Sequence, residues 1–415
     1  MKTKTTLAKI AMAMLLLTLP ASASDYTLEI FGNANEDETI NMQDVTYTEL
    51  IILEYRDRTE LADGKHDGKI NMQDVTQIEL VILGRELELT LIDYDGETTT
   101  VRKPIESVVV VTDGLAEMTR IVGADDKVIG VDTVVREKPV YFPDLSEKPS
   151  VGKRFDLDIE AILTLDPDLV LLGRRGWYTP GLEDHLEGTG IDIVRLGAWG
   201  PGGGFDTVAT LGYLFGSDEA EAAREYQEWY GGYADMLREK VSGLSEDERT
   251  TVFLSSMHGG TPPSGHLNIF VGGSVPEVSL EMAGGKNIAH DLMDVEGYIS
   301  VETEWIMEQD PEVIIAECWQ GGYETDDSGN MRAVYDNLLD MPALQQVRAV
   351  EGNRVYVTRF MWAAHPIMAL YMAKWFYPDI FGDLDPQAVH QEYIDTFQGV
   401  DFDVSEHGVF VYPPH

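Results

Sequence analysis

Two four-residue runs, Val108-Val109-Val110-Val111 and Val313-Ile314-Ile315-Ala316, are apolar at every position. A strand with one face in water alternates polar and apolar residues, so runs of this kind are strands buried on both faces, inside sheets covered by helices. Each run has companions. The first is followed by Val128-Ile129-Gly130-Val131, Leu169-Val170-Leu171-Leu172-Gly173 and Ile191-Asp192-Ile193-Val194, with helices predicted from Leu115 to Val122 and over 157–165. The second is accompanied by Thr251-Val252-Phe253-Leu254 and Val355-Tyr356-Val357, with a helix from Glu302 to Glu308. Alternation of this sort predicts α/β sheets whose ligand-facing loops lie at the strand C-termini.

Between the two groups, Ser217 is placed to cap a helix from Asp218 to about Val241, with Asp218 and Glu219 in the first turn, where the helix dipole favours negative charge. Its roughly 24 residues reach about 36 Å, enough to bridge two lobes. Leu87 to Ile92 and Thr98 to Val101 flank the turn Asp93-Tyr94-Asp95-Gly96 and predict a hairpin. The groups also share a phrase: Asp158 to Asp168 (Asp-Ile-Glu-Ala-Ile-Leu-Thr-Leu-Asp-Pro-Asp) answers Glu302 to Glu312 (Glu-Thr-Glu-Trp-Ile-Met-Glu-Gln-Asp-Pro-Glu). Glu160 and Glu304 each stand seven residues before the proline. The predicted fold is α/β: two Rossmann-like lobes, 87–205 and 244–415, joined by a linking-helix region over 206–243, with a small all-α, EF-hand-like module ahead of them over 25–86.

That module is visible as an internal repeat. Ile40 to Thr46 (Ile-Asn-Met-Gln-Asp-Val-Thr) recurs identically as Ile70 to Thr76, and Glu49-Leu50-Ile51-Ile52-Leu53 returns as Glu79-Leu80-Val81-Ile82-Leu83, both at a shift of 30 residues. With only two copies, this is a paired unit and not a solenoid. Each copy reads as an oxygen-rich loop leading into an apolar helix. A calcium loop wants oxygen ligands at positions 1, 3, 5, 9 and 12, a backbone carbonyl at 7 and a glycine at 6. The first loop offers Asn33, Asn35, Asp37, Asn41 and Asp44, with Thr39 at position 7 and Glu38 in place of the glycine. The second offers Asp63, Asp67, Asn71 and Asp74, with Lys69 at 7, Gly68 at 6 and Lys65 at 3, where the ammonium has to swing aside. Over these 62 or so residues the chain resembles a type I dockerin, a resemblance that implies bound calcium and a cohesin domain as partner. The competing reading is a pair of helices whose acidic turns merely cap them.

Ahead of the repeat, Lys2, Lys4 and Lys9 precede an apolar run from Ile10 to Leu17, then Pro20 and Ala21-Ser22-Ala23. This is the pattern of a secretory signal peptide over 1–24, cleaved near Ala23. No cysteine follows the run, so a bacterial-type lipid anchor is not expected, and the mature chain is read as secreted or held at the cell surface by partners. Composition fits an extracytoplasmic surface. Seventy-three acids against 30 Lys and Arg give a net charge of -43, which excludes sequence-independent binding to nucleic acid. Cys318 is the only cysteine, which rules out an intramolecular disulfide, a cysteine zinc knuckle and an iron–sulfur cluster.

The loops after the predicted strands concentrate aromatics and the scarce cations. Arg174, Arg175, Trp177 and Tyr178 follow Gly173, and Trp199 precedes the glycine-rich run Pro201 to Gly204. The other lobe supplies Met257 and His258, then Trp319 and Tyr323, then Arg359, Met361, Trp362 and His365. Aromatic rings suit broad flat ligands and arginine forks suit carboxylates. Any one of these rings, taken alone, reads equally as core or rim.

Taken with the paired phrases, the strand entry Gly352-Asn353-Arg354-Val355-Tyr356 and the tail from Tyr377-Pro378 through Phe397-Gln398-Gly399, residues 87–415 resemble the solute-binding proteins of ATP-driven importers for iron complexes, haem and cobalamin. The resemblance implies a receptor that captures a metal chelate (an iron siderophore, haem or a corrinoid) and delivers it to an ABC permease. It also implies that Glu160 and Glu304 pair with arginines of that permease. Each glutamate by itself would also serve as a helix N-terminal acid. One departure is Ile105-Glu106-Ser107 ahead of the first core strand, where the family often has Pro-x-Arg-Ile.

Capture of a bare metal ion is disfavoured, because between 87 and 205 only His185 is available from the first lobe. His258 and His365 are kept as axial or neighbouring contacts to a metal already inside a chelate. No enzyme is expected: Gly200-Pro201-Gly202-Gly203-Gly204 lacks the spacing of a phosphate-binding loop, and no G-x-S-x-G or H-E-x-x-H occurs. The alternative function is a dockerin-bearing surface assembly or adhesion component that binds cohesin, with the lobes as cargo.

Overall fold

The computed structural model describes residues 26–174, 179–197, 203–256, 265–292, 298–359 and 365–414. The expected signal peptide lies outside these residues. By internal contacts the chain forms two compact units, one ending at Glu79 and one beginning at Leu80.

In the first unit the two copies fold alike. Loop 33–44 leads into α1 (Met42–Ile52) and loop 63–74 into α2 (Met72–Ile82), which runs past the unit boundary. Each loop is closed by its last aspartate. Asp44 accepts the N–H groups of Asn35 at 3.1 Å and Asn41 at 2.8 Å, and Asp74 accepts those of Lys65 at 3.1 Å and Asn71 at 2.7 Å. The apolar positions that follow are also equivalent: Val45 and Val75 are buried, as are Ile51 and Val81. Gly32, at φ +115, lets the chain pass Ile78, whose Cγ1 would lie 3.4 Å from an added Cβ.

The second unit opens with the hairpin β1 (Glu88–Ile92) and β2 (Thr98–Arg102). Its turn is held by Asp93, which accepts the N–H groups of Asp95 and Glu97. Next come β3 (Val108–Val110), α3 (Asp113–Ile121), β4 (Val128–Val131), α4 (Ile159–Leu165), β5 (Leu169–Leu172) and β6 (Asp192–Arg195). The four strands form a parallel sheet in the order β4-β3-β5-β6. The order in which strands are added reverses between β3 and β5, so a crevice opens beyond their C-terminal ends, the place where open α/β sheets bind ligands.

Two helices then carry the chain across, α5 (Gly203–Phe215) and α6 (Ser217–Val241). The latter is 25 residues and about 37 Å long. Ala223, Tyr226, Tyr230, Ala234, Leu237 and Val241 form its buried stripe, with Asp218 and Glu219 in the first turn and Arg238 and Lys240 in the last, each complementing the dipole. The expected cap moves by one residue. Ser217 is the first helical residue and Gly216 the cap, its carbonyl accepting the N–H of Ala220 at 2.9 Å. Gly84, at φ +61, packs against Ser217, whose backbone nitrogen would lie 3.0 Å from a Cβ there.

The second sheet is built from β7 (Thr251–Ser256), β8 (His266–Phe270), β9 (Lys286–Asn287), β10 (Tyr298–Glu302), β11 (Val313–Glu317), β12 (Val355–Thr358) and β13 (Val411–Tyr412). Its order is β10-β8-β7-β11-β12-β13, with β9 also pairing β7. Strands β7, β11 and β12 are parallel, with antiparallel additions at both sides. Helix α7 (Thr303–Gln309) precedes β11 as α4 precedes β5. Helices α8 (His365–Phe376) and α9 (Pro386–Tyr393), followed by a π-turn over Ile394–Gln398, bring the chain back against α3. There the Tyr393 hydroxyl donates to Glu117 at 2.5 Å and Arg120 donates to Gln398 at 2.7 Å.

Candidate ligand cleft

The C-terminal ends of β3, β11 and β12 face one cavity of about 70 Å³. From the first sheet's side it is lined by Asp113 and Glu117 of α3 and by Lys138, Tyr141 and Phe142. From the second come Trp319, Tyr323 and Glu324 after β11, Arg359 after β12, and Phe410.

Helix α3 starts abruptly. Thr112, at φ +101, caps it by accepting the N–H of Leu115. This backbone is rarely adopted by a β-branched residue, and strain of this sort gathers where a site fixes the chain. It turns Asp113 inward to the cations Lys138 and Arg154, the latter at 3.1 Å. Burial pushes the Asp113 carboxyl up, but Lys138 and Arg154 outweigh it and hold the group below the usual carboxylate range. Arg154 also reaches Asp132 at 3.4 Å, whose own carboxyl is raised by burial. One turn along α3, Glu117 is buried and raised by desolvation, which its hydrogen bond from Tyr393 only partly opposes.

The two sides touch across the cavity floor. Tyr141 and Tyr323 stack with ring centroids 4.0 Å apart and planes 2° from parallel. The Glu324 carboxylate accepts the N–H groups of Val140 at 3.2 Å and Tyr141 at 2.9 Å. The Tyr323 hydroxyl lies 2.7 Å from His390 Nε2. Arg359 stands over the Trp319 ring at 6.0 Å, and beneath them Glu317 is raised by burial, with Arg359 pulling the other way. Aromatic faces and guanidinium are thus presented from the second side, and neutralised carboxylates from the first.

Of the ligand residues expected from sequence, Trp319, Tyr323 and Arg359 come together in this cavity. Arg174 sits apart, exposed, with Nε 3.8 Å from Asp95. His365 does not line the cavity: it is buried at the start of α8, 3.4 Å from the Tyr230 hydroxyl, and burial lowers its pKa to about 4. Arg175, Trp177, Tyr178, Trp199, Met257, His258 and Trp362 lie outside the described residues. Asp113, Glu117, Lys138, Tyr141 and Glu324 were missed. The first two were within reach of the rule that ligand groups follow strand ends, since Asp113-Gly114 closes the all-valine run. Lys138 and Tyr141 lie in an irregular segment without periodicity to mark them. Glu160 and Glu304 are both exposed, each at the second position of its helix.

Among the described residues no helix is long and apolar enough to cross a membrane. Comparison with known proteins agrees with the topology. Residues 108–360 match the family model described as periplasmic binding protein. A cobalamin-binding protein of Halobacterium salinarum is 28% identical over 228 residues, 54% of this chain and 57% of that relative, so the match spans little more than half of the relative's length. An uncharacterised ABC transporter substrate-binding lipoprotein of Bacillus subtilis, YvrC, is 22% identical over 270 residues, covering 65% of this chain and 77% of the relative. Among solved structures, the TroA-like periplasmic binding protein FepB from Veillonella parvula superposes with a TM-score of 0.59 at 20% identity, covering 78% of this chain and 98% of the other. Because the family match spans more than half of the sequence and both sheets, the chain belongs to the periplasmic binding protein family.

Proposed function

We propose that this chain is an extracytoplasmic solute-binding receptor that holds a metal chelate between its two sheet-bearing halves and delivers it to an ABC permease, with a corrinoid as the first candidate and haem or an iron siderophore as the others. The observation that carries this reading is the shared cavity, where Trp319 and Arg359 stand beside the stacked Tyr141–Tyr323 pair and the Lys138–Asp113 ion pair. A broad macrocycle with carbonyl, carboxylate or phosphate groups at its rim matches rings flanked by cations. The cobalamin-binding relative of Halobacterium salinarum puts the corrinoid first. Arg175, Trp177, Tyr178, Trp199, Met257, His258 and Trp362 are proposed as further ligand contacts, whereas Arg174, held near Asp95, is not counted among the lining of the cavity. Glu160 and Glu304 are proposed as the permease contacts, giving orientation and steering more than affinity. Absorbance and calorimetric titration with cyanocobalamin, haemin and a ferric siderophore tests the ligand class. Saturable binding of one is expected; binding of none defeats the reading.

A second role is proposed for the first unit, as a calcium-dependent, dockerin-like anchor for a cohesin domain. The specific observation is chemical. Asn33 Oδ1 is buried without a partner among the described residues, and Asp44 is buried with its pKa pushed up to about 6 by desolvation. An oxygen-binding cation would relieve both. Asn35, Asp37 and Asn41 with the Thr39 carbonyl would complete the first donor set. Asp63, Asp67, Asn71 and Asp74 with the Lys69 carbonyl would supply the second. Lys65 fits this reading, since its ammonium lies on the exposed side, 3.4 Å from Gln73 Oε1. Calcium should raise the melting temperature of this unit and chelator should lower it. An unchanged melting curve removes the calcium reading, and pull-down with a cohesin tests the partner.

A further inference from the structure

We propose that each docking end of the receptor is a two-part contact, a glutamate and an apolar side chain one turn further along the same helix: Glu160 with Leu163, and Glu304 with Met307. The partner is a membrane permease with two equivalent sockets, each a cation beside an apolar recess. The inference rests on the permease-docking reading above and adds to it the apolar half of each contact.

Helices α4 and α7 are equivalent at a shift of 144 residues, although only the glutamate, isoleucine, aspartate and proline are identical among the eleven positions. Ile162 and Ile306 are both fully buried. Asp166 and Asp310 both end their helices in the left-handed region, at φ +49 and +45, and donate their N–H to the carbonyls of Ile162 and Ile306 at 3.1 and 3.0 Å. Pro167 and Pro311 are buried. The following acids, Asp168 and Glu312, both accept N–H groups from the residues that lead into β3 and β7, Ser107 and Thr251. Within this shared frame Leu163 is 42% exposed and Met307 38%.

A single exposed leucine or methionine needs no explanation. Here a large apolar side chain is kept at the same exposed position of both elements, while the next two positions drift from Thr164 and Leu165 to Glu308 and Gln309. In a helix the i+3 side chain leans over the preceding turn, so each apolar group lies beside its glutamate. The pairing has a physical use. A glutamate–arginine pair at an exposed surface is screened by water and salt. An apolar neighbour seated in a recess excludes water from the pair and adds a contact that salt does not weaken. Two matching ends on one compact unit fit a partner made of two like halves.

The test uses the full-length chain carrying a fluorophore, right-side-out membrane vesicles from the native host, and protein-free vesicles of lipid extracted from the same membranes as control. The double variant Leu163→Ser/Met307→Ser should bind the membranes about tenfold more weakly at every salt concentration. Exchanging the two apolar types, Leu163→Met/Met307→Leu, should restore binding. Glu160→Gln/Glu304→Gln should weaken binding and flatten its salt dependence. All variants should keep their melting temperature and chelate titration, since these positions are on the surface. Wild-type binding by the serine variant, together with weakened binding by the glutamine variant, overturns the apolar contact and leaves the docking reading intact. Binding no stronger than to the lipid control, or a glutamine variant that binds like wild type, overturns the docking reading and this proposal with it.

Discussion

The two sheet-bearing halves of the second unit resemble each other at α4 and α7 and differ at the cleft. On the helices, the buried isoleucine and proline, the left-handed caps and the straps to the neighbouring strand coincide through few identities. In the cavity the first half sets the buried carboxylate Asp113 against its own cations Lys138 and Arg154, whereas the second presents Trp319, Tyr323 and Arg359. The difference separates two demands. A partner that meets both ends alike keeps them alike. An asymmetric ligand held between two walls leaves each wall to specialise, one as a fixed electrostatic frame and the other as a contact surface.

Removing the frame should have the largest effect. Asp113→Ala leaves Lys138 and Arg154 facing each other without their carboxylate and should cost about 3 kcal/mol of unfolding free energy, read by chemical denaturation. Because the folded carboxyl is held below its unfolded value, its contribution is present above about pH 4 and lost as the pH falls through the lower folded value. In Asp113→Asn that acid-side loss should be absent. An equal stability for wild type and Asp113→Ala would break the picture of a fixed frame.

Changing the contact surface should act on binding instead. Trp319 is partly exposed, so Trp319→Ala should lower chelate affinity by about tenfold, or about 1.4 kcal/mol, with a much smaller change in unfolding free energy. If affinity is unchanged while stability falls, the tryptophan belongs to the frame and the contrast between the halves fails.

The smallest effect is expected in the first unit. Burial raises the Asp44 carboxyl to about 6, so its sign is opposite to that of Asp113. Without calcium, this unit should be most stable below about pH 4 and lose that stability progressively as the pH rises through 6. Asp44→Asn should flatten the curve, and calcium, which needs the ionised carboxylate, should reverse its slope. Melting curves in chelator and in calcium across this pH range decide the point. Asp74 is raised in the same direction, so the second loop should show the same trend.

Much of the scaffold was legible because it is set by local rules. The all-valine run at 108–111 could only be a buried strand, the stripe from Ala223 to Val241 only one face of a long helix, and Asp93 with Gly96 only a turn. Helix α4 was readable from Asp158, whose side chain caps it by accepting the N–H of Ala161. The cavity was half legible. Trp319, Tyr323 and Arg359 follow strands and could be found by that rule, but nothing near Lys138 or Tyr141 reveals that they face Asp113 and Tyr323. His365 misled for the same reason: a histidine after a strand resembles a ligand residue until the packing against Tyr230 is seen.

The sequence by itself determined the principal buried strands, the long helix, the duplicated acidic repeat and the paired phrases at 158–168 and 302–312. These follow from periodicity, capping and repetition, which act over a few residues. Only the tertiary structure decided which charges meet. Lys138 lies 25 positions from Asp113 and Tyr393 lies 276 from Glu117, yet each pair is in contact; Lys138 helps to hold the Asp113 carboxyl low, and the Tyr393 hydrogen bond partly opposes the burial that raises Glu117. Electrostatic partnership depends on distance in space and on the exclusion of water. Neither is written into the local order of residues.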